Sequence, residues 1–254
     1  MKNYSSDLTE SQWITILRII EDKRKRKYSL REIFNAIFYL SKTGCQWRMI
    51  PKEFPCWKLV YYYFTKWKRD GTFDLINEVL RGFVRVKYEK HPEPTIGIID
   101  SQSVKSTRSG CMERGFDGGK KVNGRKRHIV VDTLGLLLVV VVHCANQHDS
   151  KAAMKVFEKL NEHFYTLKKI FADGGYRGEL IERVGKKFRF VLEIILRTNK
   201  EKSFEILPKR WIVERTFSWF ESYRRLGKDY EYNTDTAEAM IQIAMIKLML
   251  NRLN

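Results

Sequence analysis

A change of hydrophobic period near residue 91 constrains this chain more than any other feature of its sequence. Up to that point apolar residues recur only at the three- and four-residue spacing of amphipathic helices. Thr9 to Gln12 fits a capping box, and Trp13, Ile16, Leu17 and Ile20 follow it. After the basic run Lys23 to Lys27, read as a solvated linker, Ser29 and Glu32 form a second box. They open a helix with Leu30, Ile33, Phe34, Ile37 and Leu40 inward and Gly44 at its end. Beyond Pro51 and Pro55 a third helix carries Trp57, Val60, Tyr61, Phe64 and Trp67. A fourth starts near Phe73 with Ile76, Val79, Leu80 and Phe83. His91-Pro92-Glu93-Pro94 then breaks the pattern.

Past that break the spacing becomes that of strands. Ile96 to Ile99 is a short apolar strand ending at Asp100. Arg127–Val131 and Leu136–Val142 are β-branched runs joined by a hairpin over Asp132-Thr133-Leu134-Gly135. Asp149 is placed to cap a helix with Ala152, Val156, Phe157 and Leu160 on one face. Another strand runs through Ile170-Phe171-Ala172 to Asp173, followed by Gly174-Gly175 and a short helix from about Glu179. Phe190–Leu196 is a further strand, and two helices, about Lys209–Arg225 and Asp235–Arg252, finish the chain. The expected layout is mixed α/β, with antiparallel and crossover connections, behind an all-α module. Residues 1–90 and 95–254 are the expected domains.

Charge bears on the partner. A net charge of +18 in 254 residues repels itself in a compact fold and suits a polyanion. The basic residues are spread along the chain rather than along one amphipathic helix, which favours nucleic acid over a membrane surface. Leu134 to His143, the longest apolar candidate, is too short to span a bilayer. The N-terminus lacks a signal-peptide core, so a cytosolic protein is expected. Cys45, Cys56, Cys111 and Cys144 form no C-x-x-C pair and read as reduced thiols. The aromatic, cation-rich N-terminal helices suggest a DNA-binding module of helix-turn-helix kind. A bundle that only packs on its neighbour is the alternative.

Three acids carry the chemical interest. Asp100 and Asp173 each close an apolar strand and lead into a loop, a setting in which carboxylates are anchored yet point outward to a hard cation. Ordinary turn or cap aspartates would look the same. Glu214 lies on a helix whose apolar face holds Trp211, Val213, Phe217 and Phe220, where it is either solvated or aimed inward. The block Lys120 to His128 lies between the first two acids, with Gly115, Gly118, Gly119 and Gly124 interspersed. Such a basic glycine-rich loop would bring amides and cationic heads to phosphates. Lys120, Lys121, Arg125, Lys126 and Arg127 are the candidate DNA contacts, with a plain solvated loop as the alternative.

The segments Ile99-Asp100-Ser101-Gln102-Ser103-Val104-Lys105, Gly119 to His128, Ala172-Asp173-Gly174-Gly175-Tyr176 and Arg210-Trp211-Ile212-Val213-Glu214-Arg215 together resemble the insertion-sequence-5 group of bacterial transposases. Leu40 to Pro55, with Thr43-Gly44-Cys45-Gln46-Trp47-Arg48, resembles the helical module that opens those proteins, so the match runs through nearly the whole chain. The resemblance implies a ribonuclease-H-like mixed sheet flanked by helices, with Asp100, Asp173 and Glu214 as the catalytic Asp-Asp-Glu triad. It implies two Mg²⁺ ions held by those acids, with Mn²⁺ as a substitute, and DNA as partner at transposon ends and target. A homo-oligomer, a dimer spanning two ends, is implied as well. Lys105, Arg210 and Arg215 join the candidate DNA contacts, with simple pairing to carboxylates as the alternative for the two arginines that flank Glu214. The chain departs from the related Tyr-Arg-Glu-Lys signature. Arg210 and Glu214 match it, but Leu207 stands at the tyrosine and Glu221 near the lysine, with Arg224, Arg225 and Lys228 the next cations. A non-catalytic DNA-binding regulator, or a nuclease of this fold without strand transfer, are the competing readings.

Overall fold

The computed structural model describes residues 4–22, 24, 26–107, 111–196 and 209–254. Lys23 and Lys25 of the expected linker, and Leu207, lie outside them. Packing divides the chain into two compact units. One is Met1–Lys90 with Phe220–Gly227 and Ala239–Asn254, and the other is His91–Trp219 with Lys228–Glu238. C-terminal segments inside the expected span 95–254 therefore pack with the N-terminal helices.

In the first unit, α1 (Glu10–Ile20) and α2 (Leu30–Thr43) begin at reciprocal capping boxes, Thr9 with Gln12 and Ser29 with Glu32. Each cap is worth about 1 kcal/mol. Gly44 closes α2 in the left-handed conformation (φ 73°), its N–H donating to the Leu40 carbonyl. α3 (Trp57–Arg69) and α4 (Thr72–Lys87) follow. Their inward faces meet at Phe34, Val60, Phe64, Trp67, Phe73, Ile76 and Leu80, all buried, with the Phe34 and Trp67 rings stacked at 4.2 Å. From Ala239 onward the last helix, α8 (Thr234–Leu253), belongs to this unit. Met240, Ile241, Met245, Ile246, Met249 and Leu250 are all buried, the signature of a helix enclosed on most sides. The Gln12 side-chain amide donates to Asn251 Oδ1 and Lys247 Nζ donates to Gln12 Oε1, both at 3.0 Å.

The second unit is built on a six-stranded sheet. Its strands are β1 (Ile96–Lys105), β2 (Gly115–Asp117), β3 (Val122–Val131), β4 (Leu137–Cys144), β5 (Lys169–Ala172) and β6 (Val191–Ile194). β1 is central. It runs antiparallel to β3, which pairs antiparallel with β4 and β2, and parallel to β5, which pairs parallel with β6. α5 (Asp149–His163) and α6 (Glu179–Lys187) close one face over Ile99, Val130, Val139, Ile170 and Leu192. α7 (Arg210–Glu221) is fixed at the β3–β4 turn, where Thr216 Oγ1 donates to the Gly135 carbonyl at 2.8 Å. Among the described residues no helix is long and apolar enough to cross a membrane.

Three local expectations are corrected here. β1 does not stop at Asp100 but continues to Lys105, because its polar half is paired with β3 through Asp100↔Ile129 to Lys105↔Gly124. The basic block is not a loop. Val122 onward is β3, and only Gly118–Lys121 form the turn after β2, held by the Asp117 carboxylate accepting from the Gly119 and Lys120 amides at 3.0 and 3.1 Å. Gly124 permits the strand packing, since a Cβ there would lie 2.0 Å from the Val104 carbonyl. Finally, His148 rather than Asp149 caps α5, its side chain accepting from the Ser150 N–H.

Candidate active site

The parallel pairing of β1 with β5 brings the two aspartates together. Ile98 is in register with Phe171, and Asp100 and Asp173 each stand two residues further along. Both carboxylates therefore leave the sheet at one level and from one face. Asp173 follows β5 in an extended conformation and turns the chain, its Oδ1 accepting from the Gly175 N–H at 2.8 Å. The Asp100 carboxylate accepts from the Ser101 N–H at 2.7 Å.

Glu214 is linked to the second aspartate through Arg210, one turn earlier on α7. Arg210 Nη2 lies 3.5 Å from Asp173 Oδ2, and its Nε lies 3.3 Å from Glu214 Oε1. One guanidinium thus joins the second acid to the third. Lys120 is a further cation near Asp100, its Nζ donating to the Ser101 carbonyl at 3.0 Å. Burial pushes the Asp100 carboxyl up to about 6. The Ser101 N–H bond opposes that rise, the charge of Asp173 adds to it, and Lys120 and Arg210 oppose it further.

Beneath the acids lies a polar layer that sequence reasoning did not identify. Ser101 Oγ donates to Asp149 Oδ1 at 2.8 Å, and Lys126 Nζ meets the same oxygen at 3.0 Å. Burial raises the Asp149 carboxyl, but the bonds from Lys126 and Ser101 outweigh it and hold the group below its ordinary value. Next to it the bonding fixes the tautomers of two buried histidines. His143 Nδ1 faces the Cys144 carbonyl at 2.9 Å and must donate, which leaves its Nε2 to accept from His128 Nδ1 at 3.4 Å. His128 Nε2 then accepts from the Tyr176 hydroxyl at 2.5 Å. Burial, with the neighbouring His143 adding, keeps His128 far below the usual imidazole range, so the chain of bonds is uncharged. Tyr176, three residues after Asp173, anchors the loop of the second acid to β3. The one sequence signal for it was its place in Asp-Gly-Gly-Tyr.

The expected DNA contacts separate into two groups. Lys105, Lys120 and Lys121 are exposed. Arg125, Lys126 and Arg127 are buried, and their charges are taken up inside the protein. Arg125 pairs with Asp229 at 3.3 Å, and Lys126 pairs with Asp149. Arg127 donates to the Lys228 carbonyl at 3.4 Å. A phosphate has no access to these three. Arg210 is bound to two of the acids. Arg215 points to the β3–β4 turn, donating to the Leu134 carbonyl at 3.1 Å, with the Trp211 and Trp219 rings at 4.5 and 4.7 Å from its guanidinium.

Among the described residues no three Asp, Glu, His or Cys side chains are close enough to share a metal ion. The donor chemistry nevertheless fits one. Asp100, Asp173 and Glu214 offer only oxygen, which suits Mg²⁺ or Mn²⁺, and Arg210 already places positive charge between two of them. The raised Asp100 carboxyl gives a prediction for the metal-free protein. Its folded value of about 6 exceeds its ordinary 3.8, so its contribution to stability is complete below about pH 4 and is lost as pH rises through about 6. Asp100→Asn is expected to raise the melting midpoint in chelator, by more at pH 7.5 than at pH 4.5. Equal shifts at the two pH values would show that Asp100 is not held in this environment.

Comparison with known proteins finds transposases. Residues 91–250 match the profile of the family described as "Transposase DDE domain", and residues 8–77 match that of "Putative transposase of IS4/5 family". A Burkholderia cepacia protein named "Putative transposase for insertion sequence element IS402" is 26% identical over 137 residues, 51% of this chain and 64% of its own length. The match thus spans less than two thirds of that curated relative.

Proposed function

This chain belongs to the DDE-domain transposases of the IS4/5 type, and from that membership we propose that it cuts and joins DNA at the ends of a mobile element. The sheet, with β1, β3, β4 and the short β2 joined antiparallel, β5 and β6 added in parallel, and helices packed on it, has the ribonuclease-H-like layout that such a domain implies. Asp100, Asp173 and Glu214 are the proposed catalytic triad and the proposed ligands of two Mg²⁺ ions, for which Mn²⁺ would substitute. The observation that supports this reading is that Asp100 and Asp173 each stand two residues beyond the Ile98–Phe171 pair of the parallel strands β1 and β5, with Arg210 linking Asp173 to Glu214.

When bound, a pair of divalent ions activates the attacking oxygen and stabilises the leaving one in phosphodiester displacement. The protein's own part is to hold the carboxylates. β1 fixes Asp100 through its backbone pairing, and Tyr176 fixes the loop of Asp173 through His128. α7 presents Glu214 and Arg210 on one side of the helix, one turn apart. Water attacks the phosphorus at the element end and displaces its 3′-oxygen as a free hydroxyl, and that hydroxyl then attacks a target phosphorus, joining to the target's 5′ side and releasing the target's own 3′-hydroxyl. Neither step requires a covalent bond to a protein side chain. In this reading residues 1–90 supply a DNA-binding module, residues 95–254 the catalytic domain, and two copies act together at paired ends. Lys105, Lys120 and Lys121, all exposed, would meet phosphate in this reading.

A cleavage and joining assay on DNA carrying the sequences that flank this gene tests the proposal. Mg²⁺- or Mn²⁺-dependent release of 3′-hydroxyl ends, followed by their joining to a second duplex, is the expected result. Cutting without joining would favour a nuclease, and binding without any cutting a regulator.

A further inference from the structure

Resting on the function just proposed, we infer that α3 is the helix that enters the major groove of the element's terminal DNA. Charge singles it out. α1 carries Glu10 with Arg18, α2 carries Glu32 with Arg31 and Lys42, and α4 carries Asp74 and Glu78 with its cations. α3 has Lys58, Lys66, Lys68 and Arg69 and no carboxylate. Its two faces divide sharply. Val60, Phe64 and Trp67 are buried, while Lys58, Tyr62, Thr65 and Arg69, spaced four, three and four residues apart, form one exposed stripe flanked by Tyr61 and Lys66.

That stripe has the chemistry of groove recognition. Lysine and arginine at its ends can reach phosphates on both sides of a groove. Between them a threonine and a tyrosine offer hydroxyl and ring to base edges. A helix is about 10–12 Å across with its side chains, and the major groove of B-DNA is about 12 Å wide. The opposite face is rigidly seated, because Trp67 stacks on Phe34 and Phe64 packs on Phe73 at 5.9 Å between ring centres. By contrast the exposed residues of α4 include Leu75, Phe83 and Val86 together with Asp74 and Glu78, a surface that duplex DNA would repel.

The test uses the full chain and two fluorescent duplexes, one carrying the gene's flanking end sequence and one a scramble of it. Anisotropy is read across a salt series, with circular dichroism and melting to confirm folding. Lys58→Ala with Arg69→Ala is expected to weaken binding to both duplexes and lower the log–log salt slope by about two. Tyr62→Ala with Thr65→Ala is expected to leave the slope alone and reduce the preference for end DNA roughly tenfold or more. Folded variants with unchanged slope and preference, in a protein whose cutting activity is intact, would overturn the assignment of α3 but not the transposase reading. A change in oligomeric mass without a change in DNA binding would reassign the stripe to a second copy of the chain. Failure of the unaltered protein to bind either duplex would overturn both.

Discussion

Asp100→Asn, Asp173→Asn and Glu214→Gln are each expected to reduce metal-dependent strand cleavage roughly a thousandfold or more. Each change keeps the side-chain shape and removes one anionic oxygen donor from a site where several kcal/mol of charge stabilisation are at stake. Affinity for end DNA should stay within about threefold, because exposed lysines and arginines supply most of that free energy. Asp100→Asn is the most informative of the three. The variant is expected to be more stable than the native protein at neutral pH, so its loss of cutting could not be laid to unfolding. Gel assays of cleavage in Mg²⁺, beside anisotropy in Ca²⁺, separate the two quantities. Full cutting in any one variant removes that residue from the proposed triad, and for Glu214 it would leave the α7 arrangement without the catalytic purpose proposed for it.

The second large effect concerns stability. Arg125 is wholly buried, its Nε donating to the Glu113 carbonyl at 2.8 Å. Its two terminal nitrogens reach Asp229, the Glu231 carbonyl at 3.0 Å and the Tyr232 carbonyl at 2.7 Å. One side chain on β3 therefore holds residues 229–232 and the segment just before β2. Arg125→Met would strand the buried Asp229 charge and those carbonyls, at an expected loss of about 3–5 kcal/mol of unfolding free energy. Urea titration measures it. Arg125→Met with Asp229→Leu should recover part of that loss, since an apolar pair leaves no orphaned charge. The salt slope of DNA binding should not change in the folded fraction. A small stability loss with a slope lowered by about one would return Arg125 to the DNA surface.

Arg125 also shows why part of the fold could be read from sequence and part could not. The capping boxes at Thr9 and Ser29, the Gly44 stop and the amphipathic stripes of α1 to α4 are local signals, decided within one helical turn. The apolar strand before Asp173 was equally legible. The first half of β3, ahead of the legible run Arg127–Val131, was not, because it reads Val-Asn-Gly-Arg-Lys, a composition that within any short window means solvent. What makes it a strand is distant. Asp229, Asp149 and the 228–232 carbonyls neutralise its cations, and β1 and β4 pair with it on both sides. The same holds for Asp149, which looked like a helix cap because its partners Ser101 and Lys126 lie far off in the chain. Asp100 and Asp173 were identifiable as acids following apolar runs. Their common register depends on a parallel crossover that spacing alone cannot specify.

The position of Arg210 has a consequence for how the protein exists between reactions. Clustered carboxylates normally repel one another until a divalent ion arrives, and many metal-dependent domains loosen when it is stripped away. Here the chain supplies its own counter-ion to two of the acids, Asp173 and Glu214, so part of that repulsion is already offset at rest. Freshly made protein should keep its shape in chelating buffer and wait, intact but idle, for both metal and DNA.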